Sequence, residues 1–488
     1  MQKVKKTRMK AVRDLDVNRL SIALLSLYCC LVVMFYFLAG EQLHYRQSRG
    51  NIEVPVADSA VTELTQGVIV EQTFSAPIQR LKQITVQWGT YYRPNTGSVA
   101  MELYNDQTGE LILSKQISAA DIFEGQLISM QVEGEPIESV YNVPLRLRLY
   151  SSCVPGAAVA PMMSAHEQRE NSILTVNGVE MQGILCFSAS GEDYIWTGIH
   201  YWKLAFVGLL LVGAGLFFLQ IRIRQGKHSY LLNAIIAVER YEFLIRQLVS
   251  RDFKTKYKRS VLGVFWSFLN PLLTMLVQYF VFSNLFQSDI PYYPAYLLIG
   301  IVSFNFFNEA CNMCLTSVLG NASLIKKVYM PKYIYPLTRL MSSVINFAIA
   351  LIPLVIVSLL TGVRFKKAAV LALFFWFCLI VFSLGLGMLL SAAMVFFRDT
   401  QFLWGVFSMI WMYATPIFYP ESILPEQFRG ILQINPIYHF LKNSRMCILE
   451  GLSPEPIAYL QCLGMALVTL VVGAVVFRKS QDKFVLYL

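Results

Sequence analysis

The chain has 488 residues, 55% of them hydrophobic and only 15% charged, with a formal net charge of +10. This balance describes a polytopic membrane protein and excludes a soluble enzyme. The excess base is concentrated in residues 1–19 and 221–262, beside apolar runs, so the positive-inside rule accounts for it and nucleic-acid binding does not.

Residues 1–19 predict a basic cytoplasmic tail, and 20–40 a first transmembrane helix, retained as an anchor rather than cleaved as a signal peptide. Over 41–197 the hydrophobic runs shorten and alternate: 83–92, 98–105, 110–117, 126–132, 144–152, 172–178 and 183–190. Turn residues such as Asn177 and Gly178 separate them, which predicts an antiparallel β-sandwich. Lying between two spans, it is expected outside the cell. Cys153 and Cys186 are its two cysteines, and an exported pair is expected to form a disulfide. Trp88, Tyr91, Tyr92 and Arg93 are either a stacking platform for a ligand ring or, as alternating aromatics on a strand, part of the core.

A second span over 198–220 returns the chain to the cytoplasm, and 221–262 form a cytoplasmic linker. Within it Tyr241, Leu244, Ile245, Leu248 and Val249 recur at helical steps, and Phe253 and Tyr257 extend the stripe. With Arg251, Lys254, Lys256, Lys258 and Arg259 on its flank, this is an amphipathic interface helix. It either anchors on anionic lipid or docks a cytoplasmic partner. Residues 263–488 hold six spans, near 263–287, 295–315, 337–360, 368–394, 402–419 and 457–477. The 420–456 segment is too apolar for a free loop and reads as short re-entrant helices. The fold class is thus a polytopic α-helical membrane protein of about eight transmembrane helices, both termini cytoplasmic, with an all-β sandwich between the first two. Glu309 is an acid inside a span, either functional or holding a neighbouring helix by hydrogen bonding.

Five stretches carry a family resemblance: SRDFKTKYKRSVLGVFWSFLNPLL (250–273), LIKKVYMPKYIYPLTRL (324–340), FFRDTQFLW (396–404), TPIFYP (415–420) and NPIYHFLKNSR (435–445). In this order, each on its expected side of a span, they resemble ABC-2 type permeases that export cell-surface polysaccharide: O-antigen, capsule and teichoic acid exporters. The resemblance covers roughly residues 230–488. In the sandwich, QTFSAPI, YYRPNTG and RLRLYSS follow one another as in jelly-roll domains of bacterial glycan-handling membrane proteins, a likeness much weaker than the permease one.

The permease resemblance implies a homodimer around one channel, in a bacterial inner or plasma membrane, with two separate ATPase subunits beneath it. The substrate would be a lipid-linked glycan on an undecaprenyl pyrophosphate-type carrier. Arg251, Asp252, Lys254 and Tyr257, then Lys326, Lys327 and Lys332, would couple to the ATPase; Arg251, Lys258 and Arg259 would steer the pyrophosphate. Trp266, Tyr279, Phe280, Trp411, Tyr413, Phe418 and Tyr419 are either interfacial anchors or the wall of a channel along which sugar rings slide. Pro271 and Pro416 would bend the two spans that carry most of them. Trp88, Tyr91, Tyr92 and Arg93 become candidate glycan contacts.

The sequence has no G-x-x-x-x-G-K-S/T, so ATP and magnesium are expected on the partner ATPase and no cofactor on this chain. No catalytic constellation is expected. Cys311 and Cys314 have metal-ligand spacing but lie in an apolar span without a second pair, so no metal is expected there. Two other readings share the features: an ABC-2 type exporter of a drug, lipid or antibiotic, and a membrane glycosyltransferase or ligase.

Overall fold

The computed structural model describes residues 17–224 and 240–487, less Arg49, Glu133, Glu135, Ser139, Gln168, Glu170, Asn171, Arg259, 287–289, 328 and 329. The basic tail to residue 16, residues 225–239 of the linker and Arg259 therefore lie outside the described residues. The chain divides into two units, His44–His200 on one hand and Met1–Leu43 with Tyr201–Leu488 on the other.

The first unit is all β, as expected. Its strands are β1 (Tyr45–Gln47), β2 (Ser59–Ala60), β3 (Ile69–Phe74), β4 (Arg80–Gly89), β5 (Ser98–Asn105), β6 (Leu111–Ser118), β7 (Gln126–Gln131), β8 (Ile137–Glu138), β9 (Leu145–Ser151), β10 (Ala160–Ser164), β11 (Ile173–Val176), β12 (Val179–Met181), β13 (Ile184–Leu185) and β14 (Phe187–Tyr194). One sheet runs β1-β14-β4-β10-β13, with β2 on β10 and β7 and β8 on β4; the other runs β12-β11-β3-β9-β5-β6. Residues alternate across each strand, so Val70, Leu103 and Leu147 from one sheet meet Ile84, Trp88 and Phe187 from the other in a shared core. The Asn177-Gly178 signal is a tight hairpin between β11 and β12, with both residues at positive φ.

The expected disulfide is not formed: Cys153 and Cys186 are both free, buried thiols. They belong to opposite sheets. Cys153 follows β9 and packs over Gly97, whereas Cys186 sits between β13 and β14, its backbone paired with Met162 and Gln87. Burial pushes the Cys186 thiol up to about 11.

In the second unit α1 (Val17–Ala39) and α2 (Tyr201–Arg224) pair through Tyr28, whose hydroxyl donates to Ala205 O at 2.9 Å, and Tyr201, which donates to Val32 O at 2.7 Å. The rest comprises α3 (Glu242–Tyr257), α4 (Phe265–Phe286), α5 (Tyr293–Leu315), α6 (Ala322–Lys327), α7 (Ile334–Leu360), α8 (Ala372–Phe396), α9 (Thr400–Ala414), α10 (Glu426–Ile434), α11 (Pro436–Arg445) and α12 (Pro456–Ser480). The central helix, α5, is buried along most of its length. Helices α8 and α12 cross in close contact because both offer glycine: a Cβ on Gly473 would sit 2.0 Å from the Gly385 carbonyl oxygen. Seven helices among the described residues are long and apolar enough to cross a membrane.

The predicted span at 402–419 is the exception. Helix α9 is 15 residues, about 22 Å against a hydrocarbon thickness of about 30 Å. It stops because Thr415 precedes Pro416 and is extended, φ −102° and ψ 131°. Pro416 therefore ends the helix rather than bending it, while Pro271 stays inside α4. The short helices expected in 420–456 are α10 and α11, the latter capped by Asn435, whose side chain accepts from the Ile437 and Tyr438 amides.

Candidate functional site: a polar pocket under the interface helix

Helix α3 shows the expected stripe. Ile245 packs with Met330, Ile334 and Tyr335 at the start of α7, and Tyr241, Leu244 and Val249 close the edge of this cluster. At the centre of the contact lies Asp252, its side chain only 4% exposed. Arg251 Nη2 stands 3.0 Å from one Asp252 oxygen and Arg339 Nη1 3.3 Å from the other. Arg251 also donates to Asn321 Oδ1 at 3.2 Å. A buried carboxylate between two guanidinium groups fixes α3 on the membrane helices, because breaking it would leave a charge without its partner.

The last turn of α3 closes a pocket of about 150 Å³ formed with α4, α5 and α7. A continuous polar chain crosses it. Lys256 Nζ donates to Glu309 Oε1 at 2.8 Å, and Asn346 Nδ2 donates to the same oxygen at 2.7 Å. The Tyr257 hydroxyl donates to Asn346 Oδ1 at 2.9 Å and shares a hydrogen bond with Ser267. Trp266, Asn270 and Asn305 complete the lining on the α4 and α5 side. Four helices are thus tied by polar side chains that find their partners in one another. Glu309 holds a partner helix, one of its two expected roles, and does so from within the pocket.

Several of the expected coupling residues turn inward. Asp252 is buried against Arg339, Tyr257 points into the pocket, and Lys332 donates to the Gln481 carbonyl and lies 5.8 Å from the Phe484 ring. Each of these three has partners within the chain. Arg251 is half-committed through Asp252 and Asn321. Lys254, Lys258, Lys326 and Lys327 are exposed and leave a cationic outer surface.

The channel aromatics also divide. Tyr279, Phe280 and Tyr413 are exposed and Trp266 faces the pocket. Phe418 is buried and stacks on Phe282 at 5.4 Å, which joins α4 to the segment after α9. Tyr419 donates to Tyr413 O at 2.7 Å. Trp411 is partly buried and braced within the chain. Its indole meets Phe307 at 5.3 Å, and Nε1 donates to Asn435 Oδ1 at 2.8 Å.

Sequence reasoning missed Arg445. It is buried, with Nη1 donating to Pro416 O at 2.7 Å and Nη2 to Ile417 O at 2.9 Å and Tyr296 O at 3.2 Å. Its guanidinium lies 3.5 Å from the centre of the Tyr296 ring. Gly300 makes the room: a Cβ there would fall 2.7 Å from Arg445 Nη2. The signal available was a lone arginine closing the NPIYHFLKNSR stretch.

In the sandwich Trp88 is wholly buried and belongs to the core. Tyr91 and Tyr92 are exposed on a turn, both at positive φ, 54° and 55°. The Glu124 carboxylate holds this turn, accepting from the Thr90 hydroxyl at 2.8 Å and the Tyr92 amide at 3.4 Å. Burial raises that carboxyl, but the hydrogen bonds from Thr90 and Tyr92 outweigh it and hold it below its ordinary value. Arg93 pairs with Glu63 and covers the Tyr91 ring at 5.0 Å. Among the described residues no group of three His, Cys, Asp or Glu side chains is placed to hold a metal.

The family model for the ABC-2 type transporter matches residues 244–449, from α3 through the end of α11. The O-antigen export system permease protein RfbA of Klebsiella pneumoniae is 30% identical over 244 residues, 49% of this chain and 93% of that protein. Its namesake from Myxococcus xanthus is 25% identical over 256 residues, 52% and 98%. The polysialic acid transport protein KpsM of Escherichia coli is 22% identical over 241 residues, 49% and 93%. With the interface helix, the pocket beneath it and the broken helix before TPIFYP all inside the matched region, this multi-pass membrane chain belongs to the ABC-2 type transporter family of permeases.

Proposed function

We propose that the chain is the membrane permease subunit of an exporter that moves a lipid-linked cell-surface polysaccharide out of the cytoplasm. It works as a homodimer with two separate ATPase subunits, which hold the ATP and magnesium. It sits in the inner or plasma membrane with both termini in the cytoplasm and the sandwich outside.

One observation carries the coupling. The exposed cations of α3 and α6 form the surface a motor would press, while the last turn of α3 brings Lys256 and Tyr257 to the wall of the pocket. A rigid-body shift of α3 moves both side chains against Glu309 on α5 and Asn346 on α7. Exposed Tyr279, Phe280 and Tyr413 offer ring faces to a passing sugar, whose CH faces pack on aromatic planes. Lys258 is exposed at the end of α3 and, on the proposed topology, would meet a pyrophosphate headgroup arriving from the cytoplasm.

The test is a chromosomal deletion scored for surface polysaccharide and for lipid-linked glycan retained in the cytoplasm. Loss of surface polymer with internal accumulation, restored by the parent chain, is the expected result. Unchanged surface polymer would overturn the reading, and restored resistance to a drug without change in glycan would favour the drug or lipid exporter.

A further inference from the structure

The outer face of the six-stranded sheet carries a side-chain arrangement unlike an ordinary solvated strand surface. Its inner face is apolar, with Val70, Met101 and Leu147 buried. The alternate residues point outward, and the register aligns them: Glu71 opposite Arg148, Arg148 opposite Glu102, and Arg146 opposite Tyr104. Glu102 accepts from two phenols at once, Tyr104 at 2.7 Å through one oxygen and Tyr150 at 2.7 Å through the other. Those bonds push both phenols above their ordinary values. Arg146 lies 3.1 Å from Asp106 and 3.7 Å from Glu71, and Arg148 3.7 Å from Glu71. The Arg148 guanidinium stands 5.8 Å from the centre of the Tyr150 ring. Beside Tyr150, in register, is the small side chain of Ala100.

We propose that this face, centred on Arg148, Glu102, Tyr104 and Tyr150, is a glycan-binding site. Glu102 fixes the two rings, so little side-chain entropy remains to be lost on binding. Guanidinium and carboxylate groups alternate at sheet spacing and present the donors and acceptors that vicinal hydroxyls require. Tyr150 next to Ala100 gives a sugar ring a flat wall and a low floor. Three carboxylates against two guanidinium groups leave no surplus positive charge, which disfavours nucleic acid and an anionic membrane surface. A peptide adding as a strand would use a sheet edge, not this face. The proposal rests on the export reading, because the glycan meant is the exported one.

The experiment uses the full chain in lipid nanodiscs. The probe is polysaccharide released by mild acid from the surface of cells expressing the chain, and binding is followed by calorimetry. Arg148→Ala and Glu102→Gln are each expected to weaken binding at least about tenfold, the value of one charged hydrogen bond. Glu102→Gln preserves shape, so its melting temperature should match the parent. Phe123→Ala, at an exposed position just before β7 of the other sheet, should bind within about twofold of the parent, a difference of about 0.4 kcal/mol. Equal binding by parent, Arg148→Ala and Glu102→Gln overturns the site, as does loss confined to Phe123→Ala. If the deletion strain loses export while the nanodisc chain binds no polymer, the site fails and the export reading stands. If the deletion strain exports normally, the export reading itself fails.

Discussion

Arg445→Met is the perturbation that most directly tests how the region after α9 is held. The guanidinium makes three hydrogen bonds to carbonyls, two of them in the non-helical Pro416–Ile417 backbone. Each charge-assisted bond is worth about 1.5–3 kcal/mol, and each buried carbonyl left without a donor costs about 1–3 kcal/mol. Relief from burying a charge offsets part of this loss. A net destabilisation of about 3 kcal/mol remains, equivalent to a fall of about 6–12 °C for a domain of 150–250 residues. Arg445→Lys should fall between parent and Met, because an ammonium cannot fork across adjacent carbonyls. Gly300→Ala probes the same seat without removing the charge, since its Cβ would press on Nη2. Melting is read by heating detergent-solubilised protein and measuring the surviving monodisperse fraction. A melting temperature for Arg445→Met within about 2 °C of the parent, in well-inserted protein, would refute the claim that Arg445 holds this backbone.

Four further outcomes follow from the same geometry. Asp252→Asn should destabilise the chain by about 3 kcal/mol by removing the buried charge that pairs with Arg251 and Arg339, whereas Lys254→Glu with Lys326→Glu should leave melting unchanged and reduce copurification of the ATPase; the reverse pattern would exchange the roles of the two faces. Tyr279→Ala and Tyr413→Ala should lower surface glycan per inserted molecule at unchanged melting, but Trp411→Ala and Trp376→Ala should lower melting, because both indoles pack inside, Trp376 edge-on to Phe347 at 5.8 Å. Cys153 and Cys186 should be recovered as separate alkylated peptides without reduction, and both should label only when the sandwich is unfolded, because each thiol is buried; a peptide pair joined at these positions would show the expected disulfide after all. A cysteine at Ser114 should label from outside intact cells and one at Lys326 only after permeabilisation, and the opposite result would invert the topology.

The elements that local pattern determines were legible. Alternation placed β4, β5, β6, β7, β9 and β11, and uninterrupted apolar length placed α4, α5, α7, α8 and α12. Strand β10, read in no run, is APMMS between Val159 and Ala165, too short and too proline-marked to declare itself; it exists because Pro161 and Ala160 pair with Trp88 and Gly89. The interface helix was visible in its stripe, but not which of its cations turn under it. Lys256 and Lys254 are two residues apart in one basic run, and only the helix's rotation sends the first to Glu309 and leaves the second outside. The disulfide failed for a related reason: two strand-flanking cysteines say nothing about which sheet each strand joins. Arg445 needed the break at Pro416 to have a purpose, and nothing local announces three carbonyls gathered from 296, 416 and 417.

The short helix α9 leaves a stretch of backbone after it whose polar groups no helix satisfies. Side chains from elsewhere do that work: Tyr293 donates to Phe418 O at 2.8 Å, Tyr296 to Tyr419 O at 3.0 Å, and Arg445 covers Pro416 and Ile417. Biogenesis inherits the arrangement. The residues from Thr415 to Pro420 leave the insertion machinery before Arg445 has been synthesised, so their carbonyls wait for a donor about thirty residues downstream. Variants that block maturation at this point should therefore cluster at Tyr293, Tyr296 and Arg445, outside the segment that fails, while hydrophobic exchanges on the exposed sides of α9 should be tolerated.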